Sequence, residues 1–232
     1  MVRLAAFDIC FILNDGRKLL ISSQRISYIT QNVETKRITY EKINDAIEYS
    51  RFFQRQGAVN TMFTSAIRMS ATFPYISPSA SLPSDPVVEI IDAGYRDNFG
   101  LETTLRFINT FDEWISENTS GIVIIQIRDK NKTSPINKES QPTLLQALAR
   151  PIGSCYSNLF NVQDFNQNQQ IQMADSWCKS NIEIINLKLN NQEKEHISLN
   201  WHLTNKEKKQ VLSSLYLEEN KHAIDRIVEL LK

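Results

Sequence analysis

Glycine is scarce: six in 232 residues, at Gly16, Gly57, Gly94, Gly100, Gly121 and Gly153. No two lie four apart, so the sequence has no Gly-x-Ser-x-Gly elbow on which a strand-to-helix turn could raise a serine. No glycine cluster could form an oxyanion loop either, and Ser22, Ser23, Ser65 and Ser70 sit in no elbow context. Cysteine is equally sparse. Cys10, Cys155 and Cys178 show neither CxxC nor metal-ligand spacing, so buried free thiols in a reducing compartment are expected. There is no excess of charge, with 26 Lys+Arg against 26 Asp+Glu, hence no global field to recruit nucleic acid or an anionic membrane. No apolar run approaches the roughly 18 residues of a membrane span. Leu4 to Leu13 is short and interrupted by Asp8, so it reads as a strand, and no signal peptide is expected. The expected location is cytoplasmic, or peripheral to the inner face of a membrane.

What is present is the composition of a globular chain, 41% apolar and 22% charged, long enough to bury a sizeable core. Residues 4–13 and 17–30 read as strands joined at Asn14-Asp15-Gly16, a hairpin turn that needs positive φ. Residues 38–54 mix helical and irregular character. From Thr61 to Ser70, the residues Met62, Phe63, Ala66, Ile67 and Met69 follow helical spacing, which stops before Phe73-Pro74. Ser77 to Pro86 holds three prolines among serines and reads as a loop. Val87 to Ile91 reads as a buried strand. Leu101, Leu105, Ile108 and Trp114 then mark one stripe of a helix, and Ile122 to Ile127 predicts a strand covered on both faces. Strand, helix, strand in that order predicts a parallel βαβ unit.

Arg128 to Thr143 reads as a polar surface loop. Residues 144–180 are rich in Asn and Gln but carry leucines and aromatics, which favours helix over low complexity. A strand is expected over Ile182 to Leu189. Thr204 with Glu207 forms a capping box, and a last helix runs from about Glu218 to Leu231. There is no internal repeat, and a single domain is expected.

The chemistry concentrates in Val87 to Gly100, VVEIIDAGYRDNFG. Here Asp92 closes a strand, Ala93-Gly94 turns the chain, with Gly94 expected at positive φ, and a helix follows. Open α/β sheets place active sites at such strand ends. The bland alternative is a plain strand–turn–helix connection with an exposed aspartate. Upstream, Ala66-Ile67-Arg68-Met69-Ser70-Ala71-Thr72-Phe73-Pro74 ends a helix in small residues and a Phe-Pro step.

These two segments, in this order, resemble the patatin-like phospholipase family, whose signature is Asp-Gly-Gly or Asp-Gly-Ala. The match to the bacterial form covers about residues 4–130 and includes the opening hairpin. Ala93 departs from the usual glycine, which a negative φ tolerates. The resemblance implies an α/β fold: a three-layer patatin-like sandwich with a mostly parallel central sheet, here with its N-terminal strands missing. It also implies a phospholipase A or esterase type of lipid acyl hydrolase working with a Ser–Asp dyad. Asp92 would accept the serine proton, and Ala93, Gly94 and Asn98 would support its loop. Since the serine and the oxyanion loop are absent, this chain would be the C-terminal portion of one patatin-like domain, silent alone. Its partners would be a lipid or other ester substrate and the missing N-terminal segment. No nucleic acid, cofactor or metal is expected, and a peripheral membrane contact stays open. The alternative is a non-catalytic binding or regulatory protein that keeps the scaffold.

Other residues invite roles and are assigned bland ones. His196, His202 and His222 have no elbow serine to serve, and Trp114, Trp177 and Trp201 are expected to pack. Lys206, Lys208 and Lys209 read as a solvated helix face. Arg68 reads as a solvated helix residue, with an anionic head group as its less favoured partner.

Overall fold

The structure is a computed structural model that describes residues 7–31, 44–72, 78–128, 144–189, 197 and 202–232, with backbone alone at 7–8 and 144–157. The Phe73-Pro74 step, the loop expected over Arg128 to Thr143 (from residue 129), the side chain of Cys155, His196 and Trp201 lie outside this description. The chain is mixed α and β. It divides into two compact units, Met1–Asp112 with Val162–Cys178, and Glu113–Asn161 with Lys179–Lys232.

The first unit is built on a five-stranded mixed sheet. Its strands are β1 (Phe7–Ile12), β2 (Lys18–Ser22), β3 (Ala46–Glu48), β4 (Ala80–Leu82) and β5 (Val88–Asp92), in the order β3-β2-β1-β5-β4. β1 and β2 form the expected antiparallel hairpin, pairing Ile9 with Leu20, and Gly16 takes φ 79° at the turn. Asn14 fastens this turn to β5: its Nδ2 donates to the Val87 carbonyl at 3.0 Å, and its Oδ1 accepts from Glu89 N–H at 2.8 Å.

Because side chains alternate across a strand, successive residues of β2 feed two cores. Leu19 and Ile21 join Cys10, Ile12 and Ile90 on one face. There they meet Phe53, which follows α1 (Tyr49–Phe52), and Ala66 and Met69 of α2 (Phe63–Ser70). Leu20 points the other way, to Ile26, Ile29 and Ala46, with Phe107 of α3 (Leu101–Asn118) packed against them. Leu20 is wholly buried, and truncating it to alanine should cost about 2–5 kcal/mol. Cys10 is a buried free thiol and Cys178 a partly buried one.

In the second unit, β6 (Ile122–Arg128) pairs in parallel with β7 (Ile182–Lys188) over seven residues; α4 (Leu144–Ala174) lies between them in sequence and is divided between the units, its residues from Val162 onward belonging to the first. α5 (Asn205–Ser213) opens with the expected capping box, Thr204 Oγ1 accepting from Glu207 N–H. α6 (Glu218–Leu230) packs on β7 through Asn220, 2% exposed. Its amide bonds both main-chain groups of Lys188, at 2.9 and 2.8 Å, and so completes the strand end.

Several expectations need correction. Ser77 to Pro86 is not wholly loop, since β4 forms there; its ladder to β5 and the burial of Leu82 outweigh the proline-rich composition. The parallel crossover runs β6–α4–β7 rather than β5–α3–β6. Both edges of β5 are already taken by β1 and β4, each antiparallel, so no edge is left for β6. β6 is not covered on both faces: Val123, Ile125 and Ile127 are exposed in alternation. Trp114 is also exposed rather than packed, and Trp177 is partly buried.

Candidate functional site

Asp92 is the last residue of β5, opposite Cys10 of β1. Its main-chain N–H donates to the Thr72 carbonyl at 2.8 Å, just beyond the end of α2. The two segments singled out in the sequence therefore meet. Its half-buried carboxylate folds back on its own turn, Oδ1 accepting from Gly94 N–H at 2.6 Å. This is the local bond that aspartate offers at a turn start. It caps a single 3₁₀ turn, Ala93–Tyr95.

Gly94 lies inside that right-handed turn and not at positive φ. The left-handed residues come later, at Phe99 and Gly100, both with φ 65°. Ala93 sits in the same turn, where a methyl is tolerated. A left-handed aromatic costs about 1–2 kcal/mol, so its neighbours must hold it there.

Two glutamines of α4 supply part of that hold. Gln163 Oε1 accepts from Asn98 N–H at 2.9 Å, while its Nε2 donates to the Gly94 carbonyl at 2.8 Å. One turn further on, Gln167 Nε2 donates to the Asn98 carbonyl. Both side chains are buried. These bonds at Asn98 run through its main chain, so the loop is gripped at Asn98 by the glutamines.

The rest of the hold is Asp97, 2% exposed. Its carboxylate accepts from Glu102 N–H at 2.9 Å, Thr103 N–H at 3.0 Å and Thr103 Oγ1 at 2.6 Å. These are unpaired donors of the first turn of α3, and a carboxylate there also suits the helix dipole. Asp97 belongs to a neutral cluster of three cations and three carboxylates. The Lys18 ammonium, 1% exposed, lies 3.0 Å from Glu102 Oε1 and 4.0 Å from Asp97 Oδ2. Arg106 grips Asp45 with both nitrogens, at 2.7 and 2.9 Å, and donates to Glu102 as well. Arg96 donates to Asp45 at 2.9 Å and to the Gly16 carbonyl.

Burial alone would raise the Asp45 carboxyl, but hydrogen bonding and charge from Arg106, with Lys18 and Arg96 behind, hold it below the ordinary value. Burial would likewise lower Arg106, and its bonds to Asp45 with the charges of Asp45, Glu102 and Asp97 reverse that. Asp45 and Arg106 therefore favour their charged forms, and the cluster locks β2, the segment before β3, the Asp92 loop and α3 into one frame.

Of the residues named from sequence, Asp92, Ala93, Gly94 and Asn98 do share one short loop. Missed were Lys18, Asp45, Asp97, Glu102, Arg106, Gln163 and Gln167. A lysine opening the apolar run Lys18-Leu-Leu-Ile, and two glutamines four apart on one helix, were the available signals. His202 and His222 are exposed, and no group of three or more metal-ligating side chains occurs among the described residues. Chemically the loop offers one positioned carboxylate at a strand end, able to take a proton from a hydroxyl brought to it. Comparison with protein-family models, curated proteins and solved structures found no match for this chain.

Proposed function

We propose that this chain is the C-terminal part of a patatin-like lipid acyl hydrolase and supplies Asp92 as the carboxylate of a Ser–Asp dyad. The observation that carries this reading is the bond from Asp92 N–H to the Thr72 carbonyl. It joins the end of the small-residue helix to the Asp-Ala-Gly turn, the two features on which the resemblance rests. In the reaction, a serine supplied from outside these residues attacks the ester carbonyl as Asp92 takes its proton; the protonated Asp92 then returns it to the leaving alkoxide. A carboxylate is a weak base, so positioning matters more than basicity, and the loop frame of Asp97, Gln163 and Gln167 serves that need. The three-layer sandwich belongs to this reading. The five-stranded sheet is mixed and the parallel sheet has two strands, so the further parallel strands this reading requires would come with the serine.

The second reading, a binding or regulatory protein on the same scaffold, is favoured by the lack of any elbow glycine pair. One experiment separates them. The reading frame is extended upstream of Met1, and both products are exposed to a serine-directed fluorophosphonate and a short-chain ester. The hydrolase reading expects labelling and turnover only in the extended product, with turnover lowered about 10²–10⁴-fold by Asp92→Asn. No Gly-x-Ser-x-Gly upstream, or turnover indifferent to Asp92→Asn, overturns it.

A further inference from the structure

The first unit carries a second surface that the Asp92 loop does not use. From Tyr49 to Ser84 the sequence contains Arg51, Arg55 and Arg68 and no Asp or Glu, although the whole chain is balanced. The same stretch exposes Phe52 (52%), Val59 (78%), Met62 (68%), Phe63 (71%) and Ile67 (42%). On α2, Phe63 and Ile67 are four apart and face outward, while Ala66 and Met69 are buried. This surface helix is apolar on both sides. Val59, Phe63 and Ile67 share the wall of one open groove of about 1080 Å³ with Arg25 and Arg51. The acidic residue lining that groove is Glu48, 6% exposed, which is committed to two hydroxyls: Ser27 Oγ donates to Oε2, and Ser50 Oγ to Oε1 at 2.8 Å. Arg25, Arg51, Arg55 and Arg68 are all exposed.

Single exposed apolar side chains are ordinary, but a cluster rimmed by charge of one sign marks an interaction face. A second copy of the chain is a poor occupant, because two-fold pairing would set these arginines against themselves. We infer that this face docks on an anionic phospholipid surface. Val59, Phe63 and Ile67 enter the boundary between head groups and acyl chains, while Arg25 and Arg51, which line the same groove, pair with head-group phosphates. The inference stands apart from the hydrolase reading, since vesicle binding needs neither a serine nor Asp92.

The test is sedimentation of the full chain with vesicles of phosphatidylcholine alone and of phosphatidylcholine with an equal amount of phosphatidylglycerol. Binding is expected to the anionic vesicles alone and should weaken as salt rises. Arg25→Gln and Arg51→Gln together should lower the partition about 25-fold, at roughly fivefold per arginine. Val59→Ser with Phe63→Ser should weaken it independently. Neutralising Lys206, Lys208 and Lys209 on α5 should leave it unchanged. Far-UV circular dichroism checks that each variant is folded, and the salt and lipid dependence of the unaltered chain needs no variant. Absence of binding at low salt, binding indifferent to the arginines, or loss on neutralising the lysines would each overturn the proposal. So would self-association without lipid that Val59→Ser and Phe63→Ser abolish.

Discussion

Asp92 and Thr72 are joined through main-chain atoms, the N–H of one donating to the carbonyl of the other at 2.8 Å. A backbone bond does not depend on which side chains either residue carries. The strand end and the segment just beyond the helix are thus tied through main-chain atoms, and side chains hold the loop between Asp92 and α3.

Asp97 should be the most sensitive residue of that loop. Replacing it by alanine removes acceptors from three donors and leaves Lys18 to Glu102 and the Thr103 hydroxyl. A loss of about 3–5 kcal/mol in urea unfolding is expected, because three donors lose their acceptor and the buried Lys18 ammonium loses one of its two neighbouring carboxylates. Asp97→Asn, which keeps one acceptor oxygen, should cost less. A loss within about 0.5 kcal/mol for Asp97→Ala would show that the cap contributes little.

Asp45 predicts a pH dependence. Its folded-state carboxyl lies below the ordinary 3.8, because Arg106, Lys18 and Arg96 outweigh the upward push of burial. A depressed carboxylate contributes stability that is complete above its unfolded pKa and is lost as pH falls through the folded one. Stability should therefore hold from neutrality to about pH 5 and decline below it. Asp45→Asn should lower the unfolding midpoint at neutral pH and flatten the decline in acid. An unaltered acid slope in the variant would place that sensitivity on other carboxylates.

Gln163 bonds the loop twice ahead of the left-handed Phe99, at Gly94 and at Asn98. Gln163→Leu keeps much of the buried volume and removes both bonds, so about 1–3 kcal/mol should be lost. In an extended, active product the same change should reduce turnover more than substrate affinity, since it loosens the carboxylate rather than a substrate contact. Equal effects on both would argue against a positioning role.

In the second unit, Asn220 takes the place of a neighbouring strand at Lys188 and also donates to the Ser214 carbonyl. Asn220→Ala should cost about 2–4 kcal/mol. Amide exchange should accelerate most at Lys188, whose N–H loses its acceptor. Uniform acceleration across the unit would instead mean that the bond stabilises it as a whole.

Much of this architecture follows from local sequence. Asn14-Asp15-Gly16 dictates the hairpin because only a few residues accept its backbone angles, and the spacing Phe63, Ala66, Ile67, Met69 sets α2 as a helix. Thr204 and Glu207 mark the start of α5 by bonds that span three residues. Asp92 was legible for a similar reason, as the last residue of a β-branched run before a turn. The partners that hold it were not legible. Lys18 and Glu102 are 84 positions apart and Gly94 and Gln163 are 69 apart, and nothing within a turn or a strand length encodes such contacts. Strand order was hidden too. An apolar strand such as β5 or β6 states that it will be buried, but its neighbours depend on which edges remain free once the chain has folded around it. Local bonding can be read residue by residue, whereas tertiary packing alone decides which distant groups will share a buried charge.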